Sequence, residues 1–251
     1  MRTMSFNVLY GENGVRSRKF RETRVIRAIN DCRPDTFGVQ EATKEWMDAL
    51  IAAFPGYAFE GMGRRNGKNK GEFCAVFYDA RKFEKIDSGS FWLSRHPWQR
   101  GRGWDAVLPR TCSWVILEDK ENGNIFAHFN THLDHKGKKA KVNGIRLILE
   151  KIDVICGEEM PVILTGDFNA NPSSEVYAVM EESAFSDART AARESSDSPT
   201  YHGIDIPNYA GSVIDYIYVR EAQVKRFEVF TEKIDGAFPS DHYPIFADVE
   251  P

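Results

Sequence analysis

Val162-Ile163-Leu164-Thr165-Gly166-Asp167-Phe168-Asn169-Ala170-Asn171-Pro172 is the stretch on which the reading of this chain turns. Val162 to Leu164 is a short apolar run of strand type, and Gly166 marks its abrupt end. Asp167 and Asn169 stand two residues apart at that end, where extended backbone turns both side chains to one side. Asn171 then reads as an N-cap and Pro172 as the first position of a helix near Ser174 to Glu182. A carboxylate and an amide at the mouth of a buried strand, with a helix restarting at once, is the architecture of a site. The same residues match the opening of a calcium loop, Asp-x-Asn-x-Asn. Pro172 replaces the glycine that loop needs, however, and Ala178 its bidentate glutamate.

Working outward, Thr3 to Leu9 alternates, with Met4, Phe6 and Val8 on one face and Ser5 and Asn7 on the other. Val25, Ile26, Ile29 and Cys32 recur at helical spacing until Arg33-Pro34. A strand from Thr36 to Gln40 delivers Glu41, and Trp46, Met47, Leu50, Ile51 and Phe54 mark a helix closed by Pro55-Gly56. Strands follow at Tyr57 to Gly61, Phe73 to Tyr78, Phe83 to Leu93, Thr111 to Glu118 and Ile125 to Leu133. On the last of these, Phe126, His128, Asn130, His132 and Asp134 share a face. Val142, Ile145, Leu149, Ile152 and Ile155 give the clearest helix. Ser186 to Tyr209 reads as polar loop, and Val213 to Val219, Val224 to Phe230 and Tyr243 to Val249 as closing strands. Two strand-rich halves, each with its own helices, imply two sheets packed face to face with helices outside.

The 251 residues are 42% hydrophobic and 28% charged, enough apolar material for one sizeable core. No linker or repeat divides them, so residues 1–251 are expected to form a single domain. No apolar run is long enough to span a bilayer. Met1 to Phe6 shows no secretory pattern, which favours the cytoplasm; a secreted or periplasmic location would need a leader removed ahead of it. Cys32, Cys74, Cys112 and Cys156 lie far apart among apolar neighbours and read as buried, reduced thiols. A net charge of −4 argues against a protein that coats nucleic acid non-specifically.

Polar residues recur at strand ends: Asn7, Glu41, His132 with Asp134, Asp167 with Asn169, Asp215, and Asp241-His242. Singly, each has an ordinary explanation as turn former, cap or core histidine. Together they fit a hard-metal site with acid–base groups, and oxygen donors such as Asn7, Glu41 and Asp241 favour magnesium or manganese. Asp215, enclosed by Val213, Ile214, Tyr216 and Ile217, needs a partner for its carboxylate. Zinc on His128, His132 and His135 is disfavoured, because the strand pattern separates His135 and Phe129 stands where a zincin has glutamate. There is no Gly-x-Ser-x-Gly elbow, and Gly67-Lys68 lacks the rest of a phosphate loop.

Six segments now stand in order: Ser5-Phe6-Asn7-Val8, Val39-Gln40-Glu41, Asn130-Thr131-His132-Leu133-Asp134, Gly166-Asp167-Phe168-Asn169, Ile214-Asp215-Tyr216 and Ser240-Asp241-His242. Across essentially the whole chain they resemble the endonuclease/exonuclease/phosphatase superfamily, the fold of deoxyribonuclease I, abasic-site endonucleases, neutral sphingomyelinases and deadenylases. Phe91-Trp92-Leu93-Ser94 and Gly103 to Arg110 look like its bacterial hydrolase branch. The resemblance implies an α/β (α+β) fold, a four-layered αββα sandwich of two mainly antiparallel sheets flanked by helices, with the site at one edge.

It further implies a divalent-metal-dependent hydrolase that cleaves a phosphodiester or phosphomonoester by water attack, using Mg2+ or Mn2+. Glu41 looks like the principal metal ligand, with Asn7 and Asp241 in or next to the metal shell. Asp167 would orient or deprotonate the water, and Asn169 would hold a phosphoryl oxygen. His242, paired with Asp215, would stabilise the transition state or protonate the leaving group, and His132 resembles the second histidine of the family. Glu72, expected as a carboxylate partner for His132, joins Asp134 and Arg110 as substrate-binding candidates. Basic runs at Arg64 to Lys70, Arg95 to Arg102 (with Trp98 and Trp104) and Lys136 to Lys141 suggest positive charge focused at one mouth. That favours a compact anionic phosphate ester. The alternatives are a nuclease acting on DNA or RNA, and a non-catalytic phosphoinositide or nucleic-acid binding module.

Overall fold

The computed structural model describes residues 1–11, 14–204, 206 and 208–251. In chain order these form β1 (Arg2–Asn7), α1 (Arg18–Cys32), β2 (Thr36–Ala42), α2 (Lys44–Ala53), β3 (Tyr57–Glu60), β4 (Phe73–Asp79), β5 (Phe83–Trp92), β6 (Thr111–Asp119) and β7 (Ile125–His132). Then follow α3 (Lys138–Cys156), β8 (Val162–Asp167), α4 (Glu175–Glu181), β9 (Ser186–Asp187), α5 (Ala188–Ala191), β10 (Glu194–Ser195), β11 (Asp215–Arg220), β12 (Gln223–Val229) and β13 (Ile245–Glu250).

One sheet runs β10-β12-β13-β1-β2-β4-β3 and the other β5-β6-β7-β8-β11-β9. Most neighbours are antiparallel, but β1–β2, β7–β8 and the short β10–β12 pair are parallel. A parallel pair ends both strands on the same edge. Asn7 therefore comes beside Gln40, and His132 beside Asp167. The antiparallel β11 begins where β8 ends, with Asp215 opposite Asp167. Topology alone thus collects the polar strand ends.

Alternation along β1 builds the layers. Met4, Phe6 and Val8 pack with Val25, Ile29, Trp46 and Leu50 of the helices on one flank. The opposite flank closes α3 and α4 over β7 and β8 through Phe129, Ile145, Ile152, Leu164 and Val176. Between the sheets lies an apolar half, with Val76, Leu117, Ile163, Ile217 and Ile245. Beside it runs a polar seam. His128 is fully buried there, with Nδ1 3.1 Å from Thr36 Oγ1 and Nε2 2.9 Å from Thr165 Oγ1. Gln40 donates to Asn130 Oδ1, and Asn130 to the carbonyls of Val39 and Ala75. Gly38 lets the sheets close on this seam, since a Cβ there would lie 2.4 Å from Thr165 Oγ1.

Three local expectations differ from the structure. Strand β8 continues through Gly166, where a Cβ would fall 2.4 Å from the carbonyl oxygen of Thr131 on β7; the glycine permits close pairing and does not end the strand. The cap of α4 is Ser174, whose hydroxyl accepts from Tyr177 N, whereas Asn171 accepts from Ser173 in the preceding turn. Ser186 to Tyr209 holds β9, α5 and β10, organised by pairing to β11 and β12 and by Arg189, which donates to the carbonyls of Ser196 and Ser198. Asp205 and Pro207 of that expected loop lie outside the described residues. All four cysteines are buried free thiols. Among the described residues no helix is long and apolar enough to cross a membrane.

Candidate active site

Glu41 sits where the β2–β4 ladder slips between Val39 and Ala42. Its φ of 59° is the left-handed conformation of a bulge residue, which re-aims the side chain toward the sandwich edge. Glu41 Oε2 accepts from Tyr10 N at 3.0 Å, and Oε1 from Asn7 Nδ2 at 3.2 Å. The same Asn7 Nδ2 donates to Asp167 Oδ2 at 2.9 Å, while Asn7 Oδ1 accepts from Leu9 N. Asn7 therefore bridges two carboxylates with its nitrogen, and its oxygen turns to its own loop. Asp241 Oδ1 lies 3.3 Å from Ser240 Oγ. Among the described residues, Glu41 and Asp241 are met only by neutral donors.

Arg21 underlies this floor. Fully buried, it donates to the carbonyls of Val8, Leu9, Arg16 and Pro239, tying the loop after β1 to the loop that carries Asp241. Burial lowers its pKa to about 10, against the opposing charges of Asp241 and Glu41, so it stays charged.

His242 Nδ1 contacts Asp215 at 2.9 and 3.1 Å, and its Nε2 lies 3.8 Å from Asp167 Oδ2. Burial works to lower the His242 pKa, but the charges of Asp215 and Asp167 outweigh it and raise the value. Burial and the charge of Asp215 push the Asp167 carboxyl upward. Asp167 Oδ1 accepts from Asn169 N, and Asn169 takes φ 47°. The amide thus doubles back in a tight turn instead of following an extended strand, and Asn169 Nδ2 reaches His132 Nε2 at 2.9 Å. Burial, then Arg110 and Arg64, hold the His132 pKa well down, so this imidazole is neutral.

These groups open into a cleft of about 590 Å³ bordered by Tyr10, Arg16, Arg64, Arg65, Glu72, Leu108, Arg110, His135, Tyr201 and Ile214. Glu72 and Arg110 are in its wall as expected, but Glu72 pairs with Arg64 at 2.5 Å and not with His132. Asp134 leaves the strand face. It accepts from the backbone N–H groups of Val107, Leu108, Lys136 and Gly137 and so joins two loops behind the wall. The Arg95 to Arg102 run also departs from expectation. Arg95, Trp98 and Trp104 line a separate groove against α3, with Arg146 and Lys151. Sequence reasoning missed Arg64, His135 and Tyr201 as individual wall residues. Arg64 was visible only as part of a basic run, and Tyr201, whose ring lies 4.8 Å from that of His242, comes from the irregular segment and carries no sequence signal.

Asp167, Asp215 and His242 place donor atoms within 4.8 Å of one another. There His242 supplies the positive charge between the carboxylates. Among the described residues no cation hydrogen-bonds Glu41 or Asp241, the charge of Arg21 reaching them only from beneath, and their hard oxygen donors fit a divalent ion.

Residues 4–242 match the family model described as the endonuclease/exonuclease/phosphatase family. A Bacteroides vulgatus endonuclease/exonuclease/phosphatase structure is 35% identical, covers 99% of this chain and 98% of its own, and superposes with a TM-score of 0.94. A Bacteroides thetaiotaomicron mannosyl-6-phosphatase is 34% identical over 100% of this chain and 99% of its own, with a TM-score of 0.92. Mouse nocturnin is 28% identical over 187 residues, 68% of this chain. The chain spans 41% of the length of that curated relative.

Proposed function

The chain belongs to the endonuclease/exonuclease/phosphatase family of metal-dependent phosphoester hydrolases, and we propose that residues 1–251 act as one domain that hydrolyses a small anionic phosphate ester with Mg2+ or Mn2+. The observation that carries this reading is the neutral-donor environment of Glu41 and Asp241, beside a buried Asp–His pair, in a cleft walled by arginine. Glu41 and Asp241 would hold the ion, with Asn7 fixing Glu41 against Asp167. When bound, the ion supplies charge neutralisation for the phosphoryl oxygens and eases deprotonation of water.

The protein groups do the rest. Asp167, its carboxyl raised by burial and by Asp215, is a better base than a solvated aspartate and receives the proton of the attacking water. His242, kept protonated by Asp215, donates to the leaving oxygen. Asn169 Nδ2, whose N–H groups meet His132 Nε2 and the Leu133 carbonyl, would turn one of them to a non-bridging oxygen beside neutral His132, a contribution that grows as charge collects there in the transition state. Arg110 and Arg64 attract the substrate to the wall.

A full-length relative named as a mannosyl-6-phosphatase supports a compact sugar-phosphate type of substrate over a polymer. The test is hydrolysis after chelation: EDTA-treated protein should lose turnover of p-nitrophenyl phosphate and bis-p-nitrophenyl phosphate, and regain it with magnesium or manganese. Full activity in metal-free protein, or rescue by zinc alone, would sink the assignment. Absence of turnover on every ester under metal saturation would leave the non-catalytic binding module.

A further inference from the structure

Arg110 is a buried cation whose charge the protein leaves incompletely answered. It borders the cleft, yet only 5% of it is exposed. Its Nη1 is sealed from water and has no hydrogen-bond partner among the described residues. Nη2 faces the neutral ring atom Nδ1 of His135 at 3.2 Å. The nearest carboxylate oxygen, Asp134 Oδ1, meets Nε only at 3.5 Å, the outer limit of a hydrogen bond, and that carboxylate already receives four backbone N–H groups. Of the other guanidiniums that border the cleft, those of Arg16, Arg64 and Arg65, the buried Arg64 is neutralised by Glu72. A buried, hydrogen-bonding cation with a spare donor is costly unless something anionic joins it.

We propose that Arg110 is a specificity-determining residue: it takes the second negative charge of a phosphomonoester dianion, which makes this cleft select terminal phosphates over phosphodiesters. A planar guanidinium offers paired donors to two oxygens of one phosphate. A diester has an alkylated oxygen in place of one of them and carries a single charge, so it gains less from the same contact. This inference rests on the hydrolase reading above, and it names the ester class for that site.

The test compares kcat/KM for p-nitrophenyl phosphate and bis-p-nitrophenyl phosphate in the wild type and Arg110→Gln. Loss of one charge-assisted contact, worth roughly 1.5–3 kcal/mol, predicts that the monoester-to-diester ratio falls by about ten- to hundredfold. Equal losses on both esters, or none, would overturn it. Phosphate binding, read by calorimetry in EDTA at pH 8, separates this inference from the reaction itself. Wild type should bind inorganic phosphate, and Arg110→Gln should bind it at least about tenfold more weakly. Binding without turnover of either ester would support the anion site while refuting the hydrolase reading. If Arg110→Gln does not fold, wild type still decides: phosphate should bind at least about tenfold more tightly than dimethyl phosphate, and equal affinities would defeat the proposal.

Discussion

At the scale of single residues, Asp167 shows how environment changes a side chain's chemistry. One oxygen receives the Asn7 amide and the other its own turn through Asn169 N, while burial and Asp215 oppose its charge. Such a carboxylate gains basicity and loses freedom together. His242 is the counterpart, an imidazole held between two carboxylates that favour its charged form. Asp167→Asn keeps the shape and removes the proton acceptor; His242→Ala removes the donor. Each is expected to lower kcat by at least about a hundredfold under metal saturation, with circular dichroism unchanged. Near-normal turnover in either folded variant would refute that residue's role. The need of Asp215 for a partner was legible from its apolar neighbours. The left-handed backbone of Glu41 and Asn169 was not, because a positive φ at a non-glycine is imposed by bulge and turn contacts that no local pattern records.

At the scale of elements, periodicity located nearly every long strand, since the central ones have one face committed to a helix layer and one to the facing sheet, while edge strands such as β5 keep an exposed stretch. What periodicity could not show is that the inward faces of β1, β2 and β7 are polar and still fully buried. Gln40 meets Asn130, and Thr36 meets His128, only after the two sheets come together, whereas Ser5 with Gln40 and Thr3 with Thr36 bond within one sheet. Short pieces such as β9 and β10 likewise exist only through their partners. The seam has a measurable consequence. Burial lowers the His128 pKa to about 3 in the folded protein, whereas an unfolded imidazole takes its proton near pH 6.5. Between these values the unfolded chain binds more protons, so this contribution is complete above about pH 6.5 and is lost as pH falls toward 3, by roughly 1 kcal/mol per unit. Lowering the pH from 7 to 5 should therefore depress Tm more in the wild type than in His128→Gln. Parallel pH profiles for the two proteins would mean that His128 takes its proton as readily in the folded state as in the unfolded chain.

At the scale of the whole molecule, charge placement bears on substrate size. The chain carries −4 overall, and its basic runs do not form one field. Arg64 and Arg65 border the cleft, and Lys141 anchors to the Asn169 carbonyl beside it. Arg95, Trp98 and Trp104 face a different groove with Arg146 and Lys151. Of the charge expected at a single positive mouth, only Arg64 and Arg65 of the first run line the cleft, with Lys141 of the third run beside it, and the second run lies elsewhere. Duplex DNA presents a phosphate about every 1.7 Å along its axis, and tight binding needs many of them neutralised at once. A cleft of about 590 Å³ over an acidic floor is the size of a compact ligand site and not of an extended phosphate track. Turnover of a sugar phosphate or p-nitrophenyl phosphate should therefore exceed plasmid nicking and should vary little between 50 and 200 mM salt, the range over which a protein making about 6–10 phosphate contacts loses on the order of a thousandfold or more in affinity. A competition between the small ester and plasmid DNA across that series distinguishes the two. Efficient nicking with a steep salt dependence, and no hydrolysis of small esters, would make the protein a nuclease and would transfer the second basic run from a separate groove to the nucleic-acid path.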